Sequence, residues 1–233
     1  MDYKKIEQEA RLLYSKKYSE IYRASDVEEE TEIFHEEITT KIREITTGFP
    51  YPIDVLDIGC GTGRYFYALK NVRELTGIDV SDDMLLAAKN PIRKEEVTVK
   101  KTKLISGGIF QYPFPGSSFD FVYSIGVLGE HSPFDAFVCQ KIYRMLRSGG
   151  KALITIVDAQ SMWKRKLAEI LYPILPRSIK SKLHFRRKSF YMRRDQLENL
   201  LRLSEFDSYD IVRTVSKSPK WKGAHFECLL MKG

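Results

Sequence analysis

The chain has 233 residues, 43% of them hydrophobic and 12% aromatic, which is enough for one sizeable core and too much for a disordered chain. It carries 38 Lys and Arg against 31 Asp and Glu, a net charge of +7, and no apolar run approaches the length of a membrane span. Cys60, Cys139 and Cys228 are odd in number and far apart, and His35, His131, His184 and His225 are scattered. Neither a disulfide frame nor a metal site is expected, and the thiols suit a reducing compartment.

Residues 2 to about 47 read as helical. Ile6, Ala10, Leu13, Tyr14 and Ile21 recur near helical spacing, as do Ile33, Ile38, Ile42 and Ile45, and Gly48, Pro50 and Pro52 end the run. This forms an N-terminal helical cap over residues 1–50, part of a single domain spanning 1–233. Its first twenty residues are charged throughout, without the apolar centre of a signal peptide, so the cytoplasm is the expected location. Tyr14, Tyr18 and Tyr22 repeat every four residues, either as an aromatic packing stripe or as rings that close a pocket.

From Ile53 short apolar runs alternate with helical stretches. IDVLDI (53–58) predicts a strand, residues 63–71 a helix, and ELTGIDV (74–80) a second strand. SDDMLLAAK (81–89) predicts a helix capped by Ser81, with two acids in its first turn. FDFVYSI (119–125) predicts another strand, and Phe134, Phe137, Val138, Ile142, Met145 and Leu146 trace one helix face. Gly149-Gly150 is expected to end that helix before the strand KALITIV (151–157). A helix around Asp195–Leu203 and two strands, near Asp207–Val215 and His225–Met231, follow. Such alternation builds a parallel, helix-covered sheet, an α/β Rossmann-like fold, with the last two strands as an antiparallel pair at its edge.

The charge is local. Between Trp163 and Arg194 eleven Lys and Arg face the single acid Glu169, so this segment is net +10 and the remainder of the chain net −3. Residues 158–194 are expected to form a basic helical insert, broken at Pro173 and Pro176. Its cations are interleaved with Leu167, Ile170, Leu171 and Phe185. Four readings stand: a lid over a small anionic or apolar substrate, a membrane-surface patch, an RNA-binding face, or a solvated excursion.

The stretch VLDIGCGTG (55–63) carries the chemistry. A glycine-rich turn between strand and helix lets backbone amides approach a ligand, and the helix N-terminus that follows favours an anion. Arg64 stands where a dinucleotide fingerprint places its third glycine, and Asp57 lies two residues before Gly59. S-adenosylmethionine has no pyrophosphate but bears a carboxylate, an ammonium and a sulfonium. The loop Gly59-x-Gly61-x-Gly63 suits the carboxylate and Asp57 the cationic end. Asp79, twenty residues after Gly59 at the tip of the next strand, suits the ribose hydroxyls. The plainer reading is a tight turn with Asp79 capping the next helix.

Residues 55–157 resemble the methyltransferase type 11 group of class I S-adenosylmethionine-dependent methyltransferases, which includes ubiquinone and menaquinone biosynthesis enzymes. The resemblance rests on VLDIGCGTGRY, GIDVSDDMLLAAK, YPFPGSSFDFVYSIGVLGEH and YRMLRSGGKALIT. It implies a seven-stranded sheet in the order 3-2-1-4-5-7-6, with strand 7 antiparallel and helices on both faces. It also implies that Asp57, Gly59, Cys60, Gly61, Gly63, Asp79, Val80, Met84, Gly108, Ile109, Ser124, Ile125 and Gly126 border S-adenosylmethionine. One departure stands out: the family's adenine-contacting acid falls at Gly108 when aligned on Pro113-Phe114. Ser106, a backbone carbonyl, or stacking is expected to replace it.

Residues 126–131 are expected to face the transferred methyl. His131 is either a general base or a packing residue, and Glu130 either meets the cofactor or faces solvent. The chain has no [DN]PP[YF] or Pro-Cys sequence of the base methylases. The acceptor is therefore expected to be a small, anionic or lipid-like metabolite. RNA, perhaps reached with the basic insert, and a non-catalytic partner subunit are the alternatives.

Overall fold

The apolar runs become seven strands: β1 (Ile53–Ile58), β2 (Val72–Asp79), β3 (Lys101–Ser106), β4 (Phe119–Ser124), β5 (Leu146–Val157), β6 (Ser208–Val215) and β7 (Ala224–Met231). The computed structural model describes residues 1–14, 16–29, 33–162, 189–217 and 223–233. Among these the strands form one sheet in the order β3-β2-β1-β4-β5-β7-β6. β7 is antiparallel to both of its neighbours, and the other adjacent pairs are parallel. The central strands are apolar on both faces because both are covered. Every residue of β4 is buried, and so is every residue of β1 but Asp54.

The helices are α1 (Tyr3–Leu13), α2 (Lys16–Glu29), α3 (Ile33–Thr47), α4 (Asp82–Ala88), α5 (Ala136–Met145) and α6 (Arg194–Arg202). Leu56, Val122 and Ile154 point to one face, packed with Val138 and Ile142 of α5 and Leu197 and Leu201 of α6. Their neighbours Val55, Phe121 and Leu153 point to the other, packed with Ile38 and Ile42 of α3 and Leu85 of α4. The caps are those expected of these residues: Ser81 Oγ accepts from Met84 N and Asp135 Oδ1 from Val138 N.

Two expectations fail. Residues 63–71 do not form an α-helix; the chain makes a single 3-10 turn at Phe66–Ala68. Eight residues lie between Gly63 and Val72. As α-helix they would advance roughly 12 Å, whereas returning along a six-residue strand needs roughly 20 Å. A more extended path is forced, and α3 covers the sheet face thus left open. His35 Nε2 lies 2.7 Å from the Tyr67 hydroxyl, and the His35 ring stacks on Tyr65. Nor does Gly149-Gly150 end α5. That helix stops at Met145, where Leu146 turns extended and starts β5 at once. Gly149 sits within this strand at φ 74°, beside an irregular register between Phe119 and Phe121.

The third strand escaped the pattern reading. KTKLIS buries only Ile105, as an edge strand does, and its lysines blunt that edge. Residues 163–188, the greater part of the basic insert with Pro173 and Pro176, lie outside the described residues. Its flanks do not: Met192 N donates to Val157 O at 3.1 Å and Phe190 N to Glu130 O at 3.1 Å. No helix among the described residues is long and apolar enough to cross a membrane.

If α3 takes the place of a crossover helix, its core side chains carry domain stability. Ile42→Ala, at a fully buried site, is expected to cost about 2–5 kcal/mol in urea unfolding. Leu12→Ala, at a side chain 82% exposed, should stay within about 0.5 kcal/mol of the parent. Equal effects would show α3 to be an appendage.

Candidate active site

In a parallel sheet the carboxyl ends of the strands open onto one edge, and the loops leaving that edge converge. Here they line a cavity of about 430 Å³, within the range of small-ligand pockets. The β1 loop contributes Asp57, Gly59, Cys60 and Gly61. The β2 end brings Asp79 and Val80, with Met84 from α4. The loop after β3 supplies Gly108 and Ile109, and that after β4 supplies Ile125 and Gly126. Gly63 and Ser124 are not on the wall. Gly63 sits at φ 80° against Phe66 and Pro91, and the Ser124 hydroxyl is buried, donating to Ile58 O at 3.0 Å. Both shape the loops that line the site.

Gly61 has φ 51°, and a Cβ there would meet nothing within 4 Å. The backbone conformation, and open space where a ligand would sit, thus favour glycine. The helix end expected after this loop is absent, so it presents backbone groups without the macrodipole of an α-helix.

Two acids define the floor. Asp57 is paired in register with Tyr123 of β4 and Gly77 of β2, deep in the sheet. Burial raises its carboxyl to about 8; the Tyr123 hydroxyl lowers it and the charge of Asp79 raises it further. Asp79 is raised by burial, against backbone N–H groups that favour its anion. Its Oδ2 accepts from Gly61 N at 2.9 Å and its Oδ1 from Ser81 N at 2.9 Å. Asp79 therefore does brace the turn before α4, and it lines the cavity as well. Neither acid forms an ion pair among the described residues. Two buried carboxyls facing a cavity favour a cationic, hydroxyl-bearing ligand. Cys60 is no nucleophile: burial pushes its thiol well above the ordinary range.

Part of the cavity wall is aromatic. Tyr14 and Tyr22 line it, while Tyr18 packs edge-on against Tyr14, so the tyrosine series is both a packing stripe and a wall. The wall is anchored to the glycine loop. Asp26 of α2, fully buried, accepts from the Thr62 hydroxyl and from Arg64 Nε, and the Ser81 hydroxyl donates to Tyr14 O. Of the 126–131 loop, Gly126, Val127, Glu130 and His131 reach the cavity, whereas Leu128 is buried in the core. Glu130 faces the cavity with its carboxylate 3.4 Å from His131 Nε2.

Some wall residues were not expected. His225, first but one in β7, reaches the cavity because an antiparallel strand starts at the edge where its parallel neighbours end. It packs edge-on against Phe34 and lies 3.4 Å from Glu227. Burial alone would raise Glu227; His225, Lys41 and Thr214 override it and hold the carboxyl down to about 2. Glu7 of α1 also lines the cavity, against Gly108. Ser106, one of the three expected substitutes for the missing acid beside a backbone carbonyl and stacking, is exposed and off the wall. Among the described residues no group of His, Cys, Asp and Glu is placed to hold a metal ion.

Residues 55–150 match the methyltransferase domain family. A demethylmenaquinone methyltransferase of Listeria welshimeri is 30% identical over 117 residues, 48% of this chain and 47% of that protein. The chain thus spans about half the length of the curated relatives it matches. A phosphoethanolamine N-methyltransferase of Haemonchus contortus, solved with S-adenosyl-L-methionine, superposes over 84% of this chain and 52% of its own (TM-score 0.60, 17% identity). An S-adenosylmethionine-dependent methyltransferase of Methanosarcina mazei superposes over 81% and 96% (TM-score 0.57, 18% identity). The strand order, the antiparallel β7 and the matched segment agree: residues 55–150 match a methyltransferase domain family, and the chain has the fold of class I S-adenosylmethionine-dependent methyltransferases.

Proposed function

We propose that the protein transfers a methyl group from S-adenosylmethionine to a small acceptor held against the aromatic part of its cavity wall. One observation carries this reading: Asp57 and Asp79, two buried acids without ion-pair partners among the described residues, share one cavity with the open backbone of Gly61. Asp57 suits the ammonium, the loop around Gly61 the carboxylate, and Asp79 the ribose hydroxyls. Val80, Met84 and Ile109 offer apolar surface beyond the ribose. When bound, the cofactor supplies a methyl already activated by its sulfonium.

The chain's own task is then alignment and proton removal. Tyr14, Tyr22, Phe34 and Tyr65 line the same cavity, which supports a small, partly apolar acceptor over a nucleic-acid strand. The curated relative and the ligand-bound neighbour carry names for different acceptors, so they support the donor and leave the acceptor to the cavity's own chemistry. His131, on the cavity wall beside Glu130, is on this reading the candidate to take a proton from the acceptor as its nucleophile bonds to the methyl.

Asp79→Ala removes two charge-assisted hydrogen bonds to ribose, typically about 1.5–3 kcal/mol each. It should weaken S-adenosylhomocysteine binding at least about tenfold by calorimetry. Unchanged affinity in a folded variant would displace the ribose from Asp79. Asp57 gives a pH signature. The empty folded protein keeps its proton up to about pH 8, while the unfolded chain releases it near 3.8, so stability drains away as pH rises between those values. Asp57→Asn has no such proton to lose. Without ligand it should outlast the parent in urea by a margin that widens up to about pH 8, while binding S-adenosylhomocysteine more weakly. A flat margin would mean Asp57 is already ionised in the empty site. His131→Ala should cut methyl transfer to a small-molecule extract fraction by about 100-fold with product binding intact. The same loss from His225→Ala alone would move the base to β7.

A further inference from the structure

Glu7 is a carboxylate where a helix–core contact calls for an apolar side chain. Tyr3, Glu7, Ala10 and Tyr14 lie on one face of α1, and Glu7 is only 9% exposed. Its Oε1 accepts from Phe110 N at 3.0 Å and its Oε2 from Gln111 Nε2 at 2.8 Å, both in the loop after β3. A Cβ at Gly108 would stand 1.9 Å from Glu7 Oε1 and 2.2 Å from its Cδ. Gly108 has no left-handed φ to explain it. The glycine is there because the carboxylate of another element fills the space its side chain would need.

The position is rigidly held. Tyr3 stacks between Phe110 and Phe137 and donates to Asp135 Oδ2 at 2.7 Å, while Ser81 grips the carbonyl of Tyr14 at the other end of the helix. Each Glu7 oxygen accepts one hydrogen bond from the loop and keeps capacity for a second. Along the sheet edge the acids follow the strand order: Asp57 on β1, Asp79 at the end of β2, Glu7 against the loop after β3. A nucleoside with its ribose on Asp79 and its amino-acid end toward Asp57 extends its base to Glu7.

We propose that Glu7 is the specificity-determining residue for the base of the cofactor, accepting a hydrogen bond from the 6-amino group of adenine. This deepens the proposed function and rests on it. An anion fixed by two donors of its own accepts from an exocyclic amine and repels a 6-oxo group. The N-terminal helix thereby supplies the acid that residue 108 lacks, and α1 docking and base recognition become one event.

The test is binding of S-adenosylhomocysteine against S-inosylhomocysteine, which carries a 6-oxo group in place of the amine and a proton on N1, by calorimetry on the full chain. The parent should prefer the adenine form by at least about tenfold. Glu7→Gln, isosteric and able to keep both loop contacts once the Gln111 amide turns to present its oxygen, should narrow that preference to within about threefold, because its amide can donate to the 6-oxo oxygen. In Glu7→Ala,Gly108→Asp, where the acid returns from the other side into the vacated space, the preference should recover. A parent that binds both ligands equally, or a Glu7→Gln variant as selective as the parent, would make Glu7 a clamp on the Phe110 amide alone and overturn the proposal. A parent that binds neither would instead overturn the cofactor reading beneath it.

Discussion

Burial of Asp57 and Asp79 at the carboxyl edge of a parallel sheet is the constraint around which the molecule is arranged. Taking a carboxyl out of water favours its neutral form, and here no lysine or arginine compensates within the described residues. Asp57 is held by pairing between β1 and its two neighbours; Asp79 is held by amides of Gly61 and Ser81. The resulting site is costly when empty and complementary to a cation bearing hydroxyls.

The N-terminal helices belong to the same economy of space. A short connection between β1 and β2 leaves one face of the sheet bare, and α3 fills it with Ile38, Ile42 and Ile45. Once α3 is docked there, α1 and α2 run across the carboxyl edge, tied by Asp26 to the glycine loop, by Tyr14 to Ser81 and by Glu7 to the loop after β3. The cap is thus continuous with the core on one side and with the cavity wall on the other. Losing either contact would loosen both.

The basic segment meets the site at its two described ends. Phe190 hydrogen-bonds the Glu130 carbonyl, and Asp158 and Met192 bridge beside β5, so the described flanks of the insert meet the fold beside the cavity wall at Glu130. Arg193 and Arg194 are paired with Asp195 and Glu198 on α6, so part of the local positive charge is spent within that helix. Such exposed pairs contribute little to stability. Their effect is to leave residues 163–188 as the source of any strong positive field.

The sequence by itself determined whatever depends on neighbours along the chain. The central strands, the glycine loop, Ser81 as a cap and the acids two residues before and twenty after Gly59 were all legible, because burial on both faces and tight turns impose residue types locally. β3 was legible only through resemblance, since an edge strand buries one side chain in six. What the tertiary structure alone decided are the contacts between distant segments. The length of the β1–β2 return against the strand it must retrace replaced a helix with a 3-10 turn. The antiparallel start of β7 brought His225 to the cavity, 94 residues after His131. The one local trace of Glu7 was a carboxylate in the apolar stripe of α1. That its partner is a glycine 101 residues away is a matter of volume, which only the packed molecule defines.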